Sequence, residues 1–133
     1  MTNKHSRARI LLIDDDPMLA KTTLKILSKR FETVHAENGK KAFALLEKDD
    51  HFDVILCDLA MPEMSGMDFY SLLQKERPHL NNRIVFLTGG AFTLEAKDFL
   101  TTVKNPKIEK PYNAKNLIEA LDTIINSSHK SAT

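Results

Sequence analysis

Three uninterrupted apolar runs constrain this chain more than any other feature: Ile10-Leu11-Leu12-Ile13, Val54-Ile55-Leu56-Cys57 and Ile84-Val85-Phe86-Leu87. A strand with one wet face alternates apolar and polar residues, so a run without alternation needs cover on both faces. Each run stops abruptly, in Asp14-Asp15-Asp16-Pro17, in Asp58 and in Thr88-Gly89-Gly90 respectively. Two shorter segments, Thr33-Val34-His35-Ala36 and Lys107-Ile108-Glu109, mix apolar with polar residues and read as edge strands. Between the strands, apolar residues recur at helical spacing. The stripes are Ala20, Leu24 and Leu27, with Phe31 beyond the helix end; Ala42, Leu45 and Leu46, closing at Asp49-Asp50; Phe69, Leu72 and Leu73, stopped by Pro78; Ala96, Phe99, Leu100 and Val103; and Leu117, Leu121 and Ile124. Asp16, Thr93 and Asn113 stand where helix caps belong, and Pro17 fits a first helical turn.

Strand and helix alternate five times, which is the pattern of an α/β protein with a parallel sheet covered on both faces. With the apolar runs central and the mixed ones at the edges, an order of 2-1-3-4-5 follows, reachable by right-handed crossovers. The expected fold is a flavodoxin-like (βα)5 with a central five-stranded parallel sheet. The 133 residues suit a single domain, placed at 9–126 between a flexible polar leader (1–8) and a flexible polar tail (127–133).

A formal net charge of +1 with scattered basic residues gives nucleic acid nothing to recognise. Cys57 is the only cysteine and lies inside an apolar run, which excludes a disulfide framework and a thiolate metal site. There is no secretory signal pattern and no stretch long enough to cross a membrane, so a cytoplasmic protein without membrane contact is expected. His5, His35, His51, His79 and His129 read as surface or edge residues, and Lys97, Lys104 and Lys115 as parts of solvated faces.

In an open parallel sheet, ligands bind at the C-terminal strand ends, where strand order reverses. Here that point falls between the first and third strands, which deliver Asp14, Asp15 and Asp58; the fourth and fifth end in Thr88 and Lys110. Two close carboxylates repel by about 4 kcal/mol at an effective dielectric near 20, so a cation or a proton must relieve them. With oxygen ligands only, Mg²⁺ is favoured over zinc. The lysine beside it makes the site suited to an anion, phosphoryl above all.

The set Asp14-Asp15, Asp58 with Met61-Pro62 and Gly66, Thr88-Gly89 and Lys110-Pro111 resembles the receiver domain of two-component response regulators, over roughly residues 9–126. The resemblance implies that Asp58 is the phosphoacceptor, becoming 4-aspartylphosphate at the expense of a phosphohistidine on a histidine kinase or histidine phosphotransfer protein. It implies Mg²⁺ bound by Asp15, by Asp58 and the backbone carbonyl of Ala60, and by Asp14 through water. Lys110 and Thr88 would contact the phosphoryl oxygens, and the Lys110-Pro111 bond would be cis. The double glycine 89–90 is expected to let the following loop switch. One departure is Lys107, where receivers commonly place an aromatic switch residue; an ammonium resists the burial that such a residue undergoes. The 88–93 and 105–111 segments resemble receivers attached to hybrid histidine kinases more than those of DNA-binding regulators. No output domain is seen in the 133 residues, so the downstream protein partner is unknown.

Two other functions are compatible with parts of the pattern. A haloacid-dehalogenase-type phosphohydrolase would use Asp14 of Asp14-Asp15-Asp16 as nucleophile and leave Asp58 without a role. An interaction module indifferent to phosphorylation would explain Lys107. All the acidic and lysine positions of the receiver pattern are intact, and that reading makes the chain a signalling domain, not a turnover enzyme.

Overall fold

The computed structural model of the chain describes residues 7–89 and 93–132. Its elements are β1 (Arg9–Ile13), α1 (Pro17–Leu27), β2 (Glu32–Ala36), α2 (Gly39–Lys48), β3 (Val54–Asp58), α3 (Gly66–Glu76), a 3-10 helix (Pro78–Arg83), β4 (Ile84–Gly89), α4 (Leu94–Thr102), β5 (Lys107–Lys110) and α5 (Ala114–Ala132). The five strands are parallel in the order β2-β1-β3-β4-β5. This is the flavodoxin-like arrangement expected from the apolar runs.

Side-chain alternation along the central strands divides the core in two. Leu11, Ile13, Ile55, Cys57, Ile84 and Phe86 meet Ala42, Leu46, Phe69, Leu73, Ala96 and Leu100 from α2, α3 and α4. Ile10, Leu12, Val54, Leu56, Val85 and Leu87 meet Ala20, Leu27, Leu117, Leu121 and Ile125 from α1 and α5. Both faces are therefore dry, which is why Ile10–Ile13, Val54–Cys57 and Ile84–Leu87 include no polar or charged side chain other than the thiol of Cys57. The edge strand β2, by contrast, is half-exposed along most of its length.

The caps stand where the sequence places them. Asp16 Oδ1 accepts from the N–H groups of Met18 (3.1 Å) and Leu19 (3.2 Å), Thr93 Oγ1 from Ala96 (3.0 Å), and Asn113 Oδ1 from Asn116 (2.8 Å). Three features differ from the reading. The helix expected to end by 126 continues to Ala132, since nothing after Asn126 is a glycine or proline that would stop it. The end of the leader is tied down: Arg7 Nη2 donates to Ser28 O (2.8 Å), and Ala8 O accepts from Glu32 N–H (2.9 Å). Pro78, read only as a stop, starts the 3-10 helix Pro78–Arg83, whose Leu80 is fully buried.

At the edge of the sheet far from the carboxylate-bearing strand ends, Arg9 lies over the Phe52 ring, 4.4 Å from its centroid, and pairs with Glu32 and Asp49. Asp49 is pulled from an ordinary 3.8 to about 2, first by the backbone N–H of His51, then by the His51 ring, with Arg9 adding to both. A depressed carboxylate contributes stability above its unfolded value and loses it as pH falls through the folded value. Asp49→Asn is accordingly expected to be less stable than wild type in urea at pH 7. The gap should close as pH falls from 3.8 towards 2. Because the group is exposed, high salt should shrink the gap.

Candidate functional site: an acidic cluster beside Lys110

The parallel register brings the predicted residues to one edge of the sheet. Ile13 pairs with Cys57, so Asp14 and Asp58 follow side by side, and Gly89 pairs with Lys110. One carboxylate oxygen from each of Asp14, Asp15 and Asp58 lies within 4.8 Å of the others. Asp14 is fully buried, Asp58 nearly so and Asp15 exposed.

Each position has a local cause. The buried Asp14 follows β1 directly; its Oδ1 accepts from the Asp16 N–H (2.9 Å), while Oδ2 is buried without a hydrogen-bond partner among the described residues. His35, read from sequence as an unremarkable edge residue, donates from Nε2 to the Asp14 carbonyl (3.0 Å) and so holds this turn against β2. Asp58 Oδ1 accepts from the Ala60 N–H (3.2 Å), and Oδ2 accepts from Lys110 Nζ (2.9 Å). The Lys110-Pro111 bond is cis, as the resemblance implied. Thr88 is buried at the end of β4.

Burial raises the Asp14 carboxyl above its usual range; the Asp16 N–H opposes this, and the charge of Asp58 adds to it. For Lys110, burial alone would lower the value, but the Asp58 hydrogen bond and the charges of Asp58 and Asp14 outweigh it and leave it raised. The lysine is therefore a fixed cation beside Asp58 and Asp14, and with Asp15 the site still carries excess negative charge. Cys57, behind Asp58, has its thiol pushed up by burial and then by the two acids, so it is an inert core residue.

Gly66 keeps α3 close to this site. A Cβ there would stand 2.8 Å from Leu59 Cα and 2.9 Å from Asp58 O, both backbone atoms. Gly66→Ala is expected to destabilise the chain by about 1–3 kcal/mol in chemical denaturation. At Gly39 the closest obstacle is the flexible end of Met64, so Gly39→Ala should cost less than about 1 kcal/mol. Gly89 has open space where a Cβ would go and no positive φ, so its place in β4 does not require glycine. The expected switching loop at Gly90 lies outside the described residues.

Lys107 is exposed, in register with Phe86. The rings that meet Phe86 come instead from α4, where Phe99 lies edge-on at 5.3 Å between centroids, and from α3, where Tyr70 is tilted at 6.2 Å. Asp16 caps α1 through Oδ1, the helix-cap role the sequence assigns it.

A family model described as response regulator receiver domain matches residues 10–122. The chain belongs to that family, and as such is a signalling domain of two-component systems. The transcriptional regulatory protein GlrR of Escherichia coli (strain K12) is 30% identical over 125 residues, which are 93% of this chain and 28% of GlrR. The sensor kinase CckA of Brucella abortus (strain 2308) is 28% identical over 118 residues, which are 87% of this chain and 12% of CckA. Among solved structures, a CheY-like response regulator receiver domain protein from Methanospirillum hungatei JF-1 superposes with a TM-score of 0.81 at 28% identity, covering 95% of this chain and 99% of that one. This chain thus spans well under a third of the GlrR and CckA sequences it resembles. Among the described residues, no helix is long and apolar enough to cross a membrane.

Proposed function

We propose that this chain is a cytoplasmic phosphoacceptor switch in which Asp58 takes a phosphoryl group from a phosphohistidine on a histidine kinase or histidine phosphotransfer protein. The observation that carries the reading is the nearly buried Asp58, bonded to Lys110 Nζ at 2.9 Å inside a cluster of three carboxylates. The donor set fits Mg²⁺: it offers only oxygens, and Asp14 Oδ2 is a buried acceptor without a protein partner among the described residues. Asp14, Asp15, Asp58 and the carbonyl of Ala60 would hold the ion. Bound there, Mg²⁺ supplies charge that offsets the carboxylates and the developing charge of the transferring group.

The chain's own residues do the rest. A carboxylate oxygen of Asp58 bonds to phosphorus as the phosphorus–nitrogen bond of the donor breaks, and the electron pair of that bond stays with the imidazole. Lys110 donates to the phosphoryl oxygens as it leaves its bond with Asp58, and Thr88, from the end of β4, donates to another. The product stays on the chain as an acyl phosphate, so the event is a change of state and not a turnover. The acyl phosphate carries about −1.5 to −2 charge where the carboxylate carried −1, on a bulkier group with three acceptor oxygens, a strong local perturbation where excess negative charge already sits.

Incubation of the full chain with acetyl phosphate, with and without Mg²⁺, followed by intact mass, tests the reading. The expected result is one added phosphoryl group per chain, dependent on Mg²⁺ and abolished by EDTA. A chain that stays unmodified, or that steadily hydrolyses a phosphate ester while staying unmodified, contradicts it.

A further inference from the structure

Among the described residues, four polar or charged residues are buried: Asp14, Thr23, Asp58 and Thr88. Three of them belong to the acidic site. The fourth, Thr23, lies in the middle of α1, where its neighbours Ala20 and Leu27 face a purely apolar core. A hydroxyl in such a place must find a partner or cost stability. Its partner is the phenol of Tyr112, oxygen to oxygen 2.9 Å, from 89 residues further along the chain.

Tyr112 stands two residues after Lys110, in the turn between β5 and α5. That turn has few anchors. β5 is an edge strand of four residues, hydrogen-bonded only to β4. Of the side-chain hydrogen bonds among the described residues that start from the turn, Asn113 to Asn116 N–H is internal to the start of α5, and Tyr112 to Thr23 alone reaches across to another element. The element it reaches is α1, the helix that begins directly after the Asp14-Asp15 loop. One hydroxyl pair thus joins the backbone that carries the lysine to the helix that follows the acids. Burial raises the Tyr112 phenol above its usual value, so it stays protonated and able to donate.

We propose that Tyr112 and Thr23 are positioning residues for phosphoryl acceptance, their hydrogen bond holding the β5–α5 turn on α1 so that Lys110 Nζ stays in reach of Asp58 and of the group it receives. The proposal rests on the reading of Asp58 as phosphoacceptor. A lysine side chain has four flexible methylenes, so its aim depends on how firmly its own backbone is held. A displacement of an ångström at a charged donor is enough to cost an order of magnitude or more in rate.

The full chain, with acetyl phosphate and Mg²⁺, serves as the assay, the rate constant of modification being read by intact mass over time and thermal unfolding being followed in parallel. Tyr112→Phe removes the hydroxyl and keeps the ring; Thr23→Val removes the hydroxyl and keeps the shape; Thr23→Ser keeps the hydroxyl. Tyr112→Phe and Thr23→Val are each expected to slow modification about five- to tenfold, the loss of one well-made hydrogen bond. The double variant should be no slower than the slower single one, because the two hydroxyls act as one bond. Thr23→Ser should retain at least half the wild-type rate. In a Lys110→Met background, Tyr112→Phe should cause no further slowing, because its effect passes through the lysine. A structural tether alone would lower the unfolding temperature and leave the rate within twofold of wild type, which overturns the proposal. So does an equal slowing by Tyr112→Phe with and without Lys110. A wild type that takes up no phosphoryl group overturns the acceptor reading itself, a result distinct from either of these.

Discussion

Asp58→Asn is expected to take up no phosphoryl group from acetyl phosphate or from a phosphohistidine donor, while remaining folded. The nucleophile is lost outright, since an amide oxygen carries no charge to donate and would yield no stable acyl phosphate. The fold should persist because two changes oppose each other. The substitution forgoes the charge-assisted bond with Lys110 that Asp58 makes at 2.9 Å. It also removes one of three charges crowded within 4.8 Å, a repulsion of about 4 kcal/mol for a close pair at an effective dielectric near 20. Intact mass and thermal unfolding of the same sample report both halves of the prediction. Asp14→Asn provides the contrast: the phosphohydrolase reading makes it the inactive variant, whereas the receiver reading expects it to raise the Mg²⁺ concentration needed and leave Asp58 competent.

Lys110→Met should slow modification of Asp58 by about a hundredfold or more, the scale on which removal of one well-placed donor to developing negative charge is felt. It should also destabilise the chain by about 1–3 kcal/mol, because Asp58 then lies nearly buried without its cation. The two losses should respond differently to Mg²⁺. Saturating Mg²⁺ offsets the unpaired carboxylates and restores part of the stability, as any ligand of the folded state does. It does not restore the rate, since the donor to the phosphoryl oxygens stays absent. Denaturant titration with and without Mg²⁺, set beside the rate of modification, separates the two.

The sequence was most informative where burial left a chain no choice. Ile10–Ile13 and Ile84–Leu87 cannot be half-wet strands, and that alone put β1 and β4 inside the sheet. The acids were legible because a parallel sheet sends every strand end to one edge: Asp14 and Asp58 become neighbours through the pairing of Ile13 with Cys57. What stayed hidden depends on contacts between distant side chains. Thr23 falls on the apolar stripe of α1 without breaking its period, so nothing in the pattern marks it, and only Tyr112 in three dimensions explains it. His35 looked like an edge histidine because the Asp14 carbonyl it meets belongs to the neighbouring strand's end. The capping box at the start of α3, where Ser65 and Asp68 bond each other's backbone, carries its signature in the Ser-x-x-Asp spacing of the sequence. The polar run after Asn126 does not end α5, because serine, histidine and lysine all tolerate a helix.

The exposed Lys107, in register with Phe86, cannot act as a ring that buries itself, whereas Phe99 of α4 already lies on Phe86.

Reductive trapping shows which carboxylate receives the phosphoryl group. The wild-type chain is modified with acetyl phosphate and Mg²⁺, reduced with borohydride, which converts an aspartyl phosphate into homoserine, then digested and sequenced by mass spectrometry. Homoserine is expected at position 58, with unaltered aspartate at 14 and 15. Homoserine at Asp14 or Asp15, or unaltered aspartate at all three positions, would contradict acceptance by Asp58.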